Sequence, residues 1–296
     1  MNRRSFLKTC SIAAGGTLVA SRAGASPHGA APVDDPLGIL VDTTKCVGCN
    51  ACSEACAEAH GLPEPNTDDA VRKDTTPTQW SVVNRFEVDG EEIFAKRQCM
   101  HCLEPACASS CLTEAMHRTE SGAVVWDEDR CMGCRYCMVS CPFDIPKYEY
   151  DSATPRVQKC RLCFEETSQG KKPACVEACD DALMFGRRSE LLAEAHKRIA
   201  ESPDGYVNHI YGEREAGGTA MLYLAAKPFD QLGMRMDLGT RSYPEFTKEF
   251  LYGVPLVLAA VPALLLGMHR ATSGQPDSDA DGAPTHAHAS RRRPEE

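Results

Sequence analysis

The sequence predicts an α+β domain followed by one apolar helix, and three observations carry that expectation. Sixteen of the seventeen cysteines fall into four groups of four, each within a short stretch of chain. Between the groups, brief apolar runs flank turn residues such as Asp89-Gly90 and Glu120-Ser121-Gly122, the pattern of β-hairpins. Near the C-terminal end, residues 250–268 carry no charge at all. At 296 residues the chain is long enough for one or two domains with a real core.

The four groups are Cys46, Cys49, Cys52 and Cys56; Cys99, Cys102, Cys107 and Cys111; Cys131, Cys134, Cys137 and Cys141; and Cys160, Cys163, Cys175 and Cys179. The clearest is Cys131-x-x-Cys134-x-x-Cys137-x-x-x-Cys141-Pro142. Three thiolates so spaced can close around one iron–sulfur cube, while the fourth serves a neighbouring cube, as in two-cluster ferredoxins. Four such groups match the ligand demand of four [4Fe-4S] clusters. A disulfide framework is the usual meaning of many cysteines in a secreted chain, but repeated Cys-x-x-Cys pairs are a ligand pattern. Structural zinc sites combine two such pairs at a distance, and the group starting at Cys160, taken alone, reads either way. The runs starting at Cys46 and Cys131 put three cysteines within seven residues and fit zinc poorly. The expected fold is therefore α+β, with tandem bacterial-ferredoxin-like lobes holding two pairs of [4Fe-4S] sites and a C-terminal transmembrane helix. Cys10 stands outside the groups and is read as incidental.

The formal net charge of −10 favours solubility and argues against a nucleic-acid partner. Thiolate-held clusters would add negative charge beyond that count.

Taken in order, residues 1–25 open with Asn2-Arg3-Arg4-Ser5-Phe6-Leu7-Lys8, continue through a short apolar stretch and end at Ala23-Gly24-Ala25. This reads as a twin-arginine export signal, an address rather than part of the fold, with an ordinary signal peptide or a basic N-terminal arm as the rival. Residues 26–36 form a proline-containing linker, and residues 37–245 the four-cluster domain. Its first element is a strand over 38–42, feeding the first cysteine loop. Residues 57–98 are an insertion: an irregular part with Pro63, Pro65 and Pro77, then a hairpin around Asp89-Gly90. A second hairpin is expected between Cys111 and Cys131, which sets the second and third runs side by side. Phe143 and Ile145 should supply dry packing after Pro142. His101, between two cysteines, is read as a packing residue. A short strand over 182–185 is followed by a helix from Glu190 to about Ala200, capped by Ser189, whose Leu191, Leu192, Ala195 and Ile199 share one side and cover the cluster core. A further strand is read over 220–224.

As a helix, residues 250–268 would extend about 28 Å, close to the ~30 Å hydrocarbon thickness of a bilayer. Residues 249–269 are thus expected to anchor the chain in membrane lipid, with Pro255 and Pro262 tolerated there; a buried core helix is the rival. Residues 270–296 read as a disordered cytoplasmic tail, and His269 and Arg270 at the membrane flank, with Arg291 to Arg293 further on, favour the inner side. Export signal and anchor together imply a single-pass protein of the cytoplasmic membrane with its iron–sulfur domain in the periplasm. His286 and His288 are a weak metal signal and are read as part of the solvated tail.

With four cysteine runs, the Cys99-Met100-His101-Cys102 start of the second and the Cys134-Arg135-Tyr136-Cys137-Met138-Val139-Ser140-Cys141-Pro142 body of the third, the chain resembles the four-cluster iron–sulfur subunits of membrane-associated oxidoreductases. Within that family it is similar to the hydrogenase-2 iron–sulfur subunit in combining a twin-arginine signal, four clusters and one C-terminal membrane helix. The beta subunit of respiratory formate dehydrogenase is similar in its clusters, its anchor and the spacing of its fourth run. Spacing alone leaves open whether the second run pairs with the third or the third with the fourth. The resemblance implies first with fourth and second with third, each last cysteine crossing over. That assigns Cys46, Cys49, Cys52 and Cys179 to one cluster; Cys160, Cys163, Cys175 and Cys56 to another; Cys99, Cys102, Cys107 and Cys141 to a third; and Cys131, Cys134, Cys137 and Cys111 to the last. Family members usually carry proline after several of the crossing cysteines. Here only Pro142 does so, with Ala57, Leu112 and Asp180 at the other places.

The resemblance further implies an electron-transfer subunit relaying electrons between a periplasmic nickel–iron hydrogenase and a membrane quinone-reactive or cytochrome b subunit, with no catalytic residue of its own. The alternative is the beta subunit of a formate dehydrogenase or another molybdopterin oxidoreductase of the DMSO reductase type. A self-contained redox enzyme should show a substrate motif, and neither Gly-x-Gly-x-x-Gly nor a phosphate loop is present.

Overall fold

A computed structural model describes residues 34–179 and 181–273. The expected signal peptide at 1–25, Cys10, most of the linker, Asp180 and the tail beyond residue 273 lie outside the described residues. The chain divides into two compact units, one running to Glu245 and the other from Phe246.

In the first unit the organising strand is β1, Leu37–Asp42, buried along almost its whole length. Unbroken burial without alternation is what a strand covered on both faces requires. Its neighbours are β8, Leu183–Arg187, which pairs antiparallel with Leu40 opposite Met184, and β9, Met221–Leu224, which pairs parallel with Leu40 opposite Leu222. The order is β8-β1-β9. Gly38 allows this closeness, because a Cβ there would meet the Ala220 carbonyl oxygen at 2.0 Å.

Helix α6, Arg188–Glu201, covers one face of the sheet. Leu191, Ala195 and Ile199 recur at helical spacing and bury against Leu40, Leu222 and Leu224. The other face, Ile39, Val41, Met221 and Tyr223, belongs to the core shared with Cys52, Cys99 and Cys175. The helix therefore covers the sheet on the side away from the cysteines, which corrects the expectation that it covers their core directly. Ser189 is not the cap either. The helix begins one residue before it, and its N–H and hydroxyl donate to the Asp35 carboxylate at 2.9 and 2.7 Å. A charged acceptor at a helix N-terminus meets both the free amides and the positive end of the dipole.

Three two-stranded ribbons complete the sheet structure. In the first, β2, Val82–Val88, pairs with β3, Glu91–Arg97, around Asp89 and Gly90, whose φ of 54° and 80° suit a tight type I′ turn. The second joins β4, Met116–Arg118, to β5, Val124–Trp126. The third, β6, Lys147–Tyr148, with β7, Val157–Gln158, has strands of two residues, too short for a periodicity that sequence reading could detect. Among the described residues, those at 62–79 form no helix or strand beyond a bridge between Thr76 and Gln79.

The second unit consists of most of α7, Tyr243–Thr272. It is the one described helix long and apolar enough to cross a membrane, with a mean hydropathy of 2.1 over its 18-residue apolar window. Pro255 and Pro262 lie inside it, and apolar side chains such as Phe250, Leu256 and Leu264 are exposed.

Candidate functional site

Each cysteine run begins with a tight loop, and the four loops share one backbone device. The residue before the second cysteine of every run is left-handed: Gly48 (φ 74°), His101 (45°), Gly133 (73°) and Leu162 (57°). Such kinks turn successive amides inward, making concavities that receive anions and iron–sulfur clusters. The inward amides are visible in the contacts. Leu162 N–H donates to Cys160 Sγ at 3.4 Å and Met116 N–H to Cys111 Sγ at 3.3 Å. Amides of Gly48, Ile145 and Ala174 likewise favour the thiolate forms of Cys46, Cys141 and Cys163.

Short helices follow the loops and carry the remaining cysteines: α1, Ala51–Ala59; α2, Ala106–Ser109; α3, Tyr136–Ser140; α4, Phe164–Thr167; and α5, Ala174–Glu177. Helix α1 packs on α5, and α2 on α3. The first pair brings the first and fourth runs together, the second pair the second and third. Pro105 and Pro173 precede α2 and α5, where a missing N–H costs nothing.

The sulfurs gather accordingly. Burial raises the Cys46 thiol, and the neighbouring sulfurs that act on it are Cys52, Cys179 and Cys49. Cys56 is raised by burial and then by Cys160, Cys175 and Cys163. Cys102 is raised by burial and then by Cys141, Cys107 and Cys99. Cys137 is pushed up to about 11 by burial and then by Cys111, Cys131 and Cys134. We call these sets groups I (Cys46, Cys49, Cys52, Cys179), II (Cys56, Cys160, Cys163, Cys175), III (Cys99, Cys102, Cys107, Cys141) and IV (Cys111, Cys131, Cys134, Cys137). They also stand in a row. Cys52 acts on Cys175, linking I to II; Cys99 on Cys160, linking II to III; and Cys137 on Cys107, linking III to IV. Cys49 in group I and Cys134 in group IV are exposed, whereas the other fourteen described cysteines are buried or half-buried.

This donor set fits a thiolate-bound cluster. All sixteen described cysteines are free thiols, each group is four soft sulfurs, and burial holds several of them protonated until a metal displaces the proton. Among the described residues no three His, Cys, Asp or Glu side chains converge closely enough for one ion. A cubane asks for a wider set, because each thiolate meets its own iron.

Around the sulfurs the packing is dry. Phe143 and Ile145 are buried in the core that includes Cys99 and Cys175. His101 is fully buried; its Nδ1 accepts from Val124 N–H at 2.9 Å, and burial followed by the charge of Lys159 holds it far below the usual histidine range. His60, packed at a tilt against Trp80 with ring centroids 4.8 Å apart, brings Nε2 to 3.4 Å from Cys163 Sγ. Two buried lysines among the sulfurs, Lys96 and Lys159, escaped the sequence reading, because a buried lysine looks like any other until the fold surrounds it.

Residues 91–188 match the 4Fe-4S dicluster domain family. That stretch includes the second, third and fourth runs and leaves the first outside. A protein of Nitratidesulfovibrio vulgaris (strain Hildenborough) is 43% identical over 289 residues, covering 92% of this chain and 77% of the relative. The Hydrogenase-2 operon protein HybA of Escherichia coli O157:H7 is 35% identical over 322 residues, covering 92% of this chain and 96% of the relative. The chain belongs to the family of 4Fe-4S iron–sulfur electron-transfer subunits. The formate dehydrogenase-O iron-sulfur subunit of Escherichia coli (strain K12) is 33% identical over 239 residues, covering 75% of this chain and 77% of the relative. As an iron–sulfur subunit the protein thus has relatives named for both hydrogenase and formate dehydrogenase.

Proposed function

We propose that groups I to IV each hold one [4Fe-4S] cluster in two paired lobes, and that the protein relays electrons between a periplasmic nickel–iron hydrogenase and a membrane quinone-reactive subunit. The observation that carries this reading is the row. Sixteen thiols form four groups linked end to end, with the exposed cysteines, Cys49 and Cys134, only in the terminal groups. A cluster held by four thiolates supplies one-electron transfer. The protein's own part is to hold the thiolates, exclude water from the two inner groups and aim amides at sulfur. Apolar side chains lie exposed at both ends, Val47 by group I and Leu112, Met132, Tyr136 and Val139 by group IV, where partners need to dock.

The hydrogenase partner is favoured over a molybdopterin enzyme by coverage, since the match to HybA extends over 96% of that relative and the match to the formate dehydrogenase-O subunit over 77%. The Arg3-Arg4 signal supports export of the domain, and the apolar helix α7 supports a single-pass anchor in membrane lipid with the tail inside. Anaerobic purification from the native membrane with metal analysis tests the proposal. About sixteen irons and sixteen sulfides per chain are expected, with nickel in the copurifying subunit. Far fewer irons in fully loaded protein would refute four clusters, and molybdenum without nickel would move the partner to the formate dehydrogenase class.

A further inference from the structure

Two buried cations stand at junctions of the row. Lys96, near the end of β3, is 2% exposed, and Lys159, one residue before Cys160, is 3% exposed. Neither forms an ion pair with a carboxylate among the described residues. The three donors of Lys159 Nζ go to Cys99 Sγ at 3.7 Å, the Cys160 carbonyl at 2.9 Å and the Val124 carbonyl. Cys99 belongs to group III and Cys160 to group II, so this ammonium sits where those groups meet. Lys96 Nζ donates to Ser81 Oγ, and the charges that act on it are Cys52 of group I with Cys175, Cys56 and Cys160 of group II. Group IV differs, since the charges that act most on its Cys137 are all cysteines, whereas Lys159 acts on Cys107 and Cys141 of group III.

An ammonium out of water without a counter-charge is strongly disfavoured. Among the described residues the partners that can carry negative charge beside them are the cysteine sulfurs, and thiolate-bound clusters carry net negative charge. The relation works in both directions. A fixed positive charge in a low-dielectric site stabilises an electron added nearby, and cluster potential responds to local charge and hydrogen bonds to sulfur.

Resting on the four-cluster relay reading, we propose that Lys96 raises the reduction potentials of the clusters at groups I and II and Lys159 those at groups II and III, leaving group IV unaffected. Group II, flanked by both, is then the site most favourable to an electron in transit. Each transfer takes one electron from one cluster and gives it to the next; no bond forms or breaks, and the step moves no proton. The hairpin of β2 and β3 thereby gains a role, since it carries Lys96 into the core.

The test uses the full chain, loaded with clusters under anaerobic conditions, titrated potentiometrically with EPR detection, and assayed for iron and sulfide. Wild type is compared with Lys96→Met, Lys159→Met and the double variant. Each single variant should move two of the four one-electron steps to lower potential, and the double variant three. A tenfold change in the reduced-to-oxidised ratio at fixed ambient potential, about 59 mV, is the expected size. Unchanged potentials at unchanged iron overturn the proposal, as do four steps that all move together. Wild-type protein with far fewer than about sixteen irons overturns the four-cluster reading instead. Should the methionine variants lose iron, the arginine and glutamine variants decide. Arginine should keep wild-type potentials and glutamine should lower them. Glutamine variants at wild-type potential, arginine variants shifted as far as glutamine, or remaining clusters that keep their potentials after iron loss all count against the role of charge.

Discussion

Replacing Gly48 by alanine tests the loop geometry on which the first cysteine run depends. Gly48 lies between Cys46 and Cys49 with φ of 74°, and a Cβ there would sit 2.4 Å from the Phe94 ring. The left-handed conformation costs an alanine about 1–2 kcal/mol, and displacing a packed ring adds about 1–3 kcal/mol. The expected loss is therefore about 2–5 kcal/mol. Gly133→Ala is the control, because its φ of 73° imposes the same backbone cost while its Cβ would meet only the Tyr148 hydroxyl, at 3.3 Å and at the far end of a side chain. It should lose only about 1–2 kcal/mol. The assay follows loss of iron–sulfur absorbance against guanidinium concentration, anaerobically and at matched cluster content. The midpoint should fall for both variants and further for Gly48→Ala. Equal midpoints for the two variants would refute the Phe94 contact, and a Gly48→Ala midpoint at the wild-type value would refute the need for a left-handed residue.

Three further outcomes are expected. Cys141→Ala should cost about four of about sixteen irons and open Cys99, Cys102 and Cys107, its neighbours across the runs, to anaerobic alkylation read by mass spectrometry; labelling of Cys131, Cys134 and Cys137 instead would break the grouping. Asp35→Ala removes the acceptor at the start of α6 and should cost about 1 kcal/mol. Because the Ser189 N–H bond lowers the Asp35 carboxyl in the folded state, its contribution is complete above the unfolded value of about 4 and is lost as pH falls through the lower folded value. Melting curves of the two proteins should thus converge on acidification, and a gap that widens sinks the argument. Leu191→Ala empties a position 1% exposed between α6 and the sheet and should cost about 2–5 kcal/mol; a denaturation midpoint within ~0.5 kcal/mol of wild type would mean that the side chain behaves as a surface residue.

The cysteine runs and the two longer hairpins were legible because their information is local. A run such as Cys131 to Cys141 keeps its metal chemistry within a few residues, and Asp89-Gly90 names its own turn. Ser189 misled for the opposite reason. A serine before a helical pattern is a good cap by local rules, yet Asp35, more than 150 residues earlier, supplies the acceptor. The cover of α6 was likewise assigned to the wrong surface, because an apolar stripe states that a face is buried and not what lies opposite.

By itself the sequence determined the ligand chemistry, the number of cysteine runs and the presence of a terminal apolar helix, since each depends on residue type and spacing along the chain. Tertiary structure decided which runs lie together, through the packing of α1 on α5 and α2 on α3, and the placement of β1 between two strands that are distant from it in sequence. It also decided that the four groups form a row with Lys96 and Lys159 buried at two of its junctions. Burial and proximity belong to the folded chain, and the charge of a lysine acts on a sulfur only when folding removes the water between them.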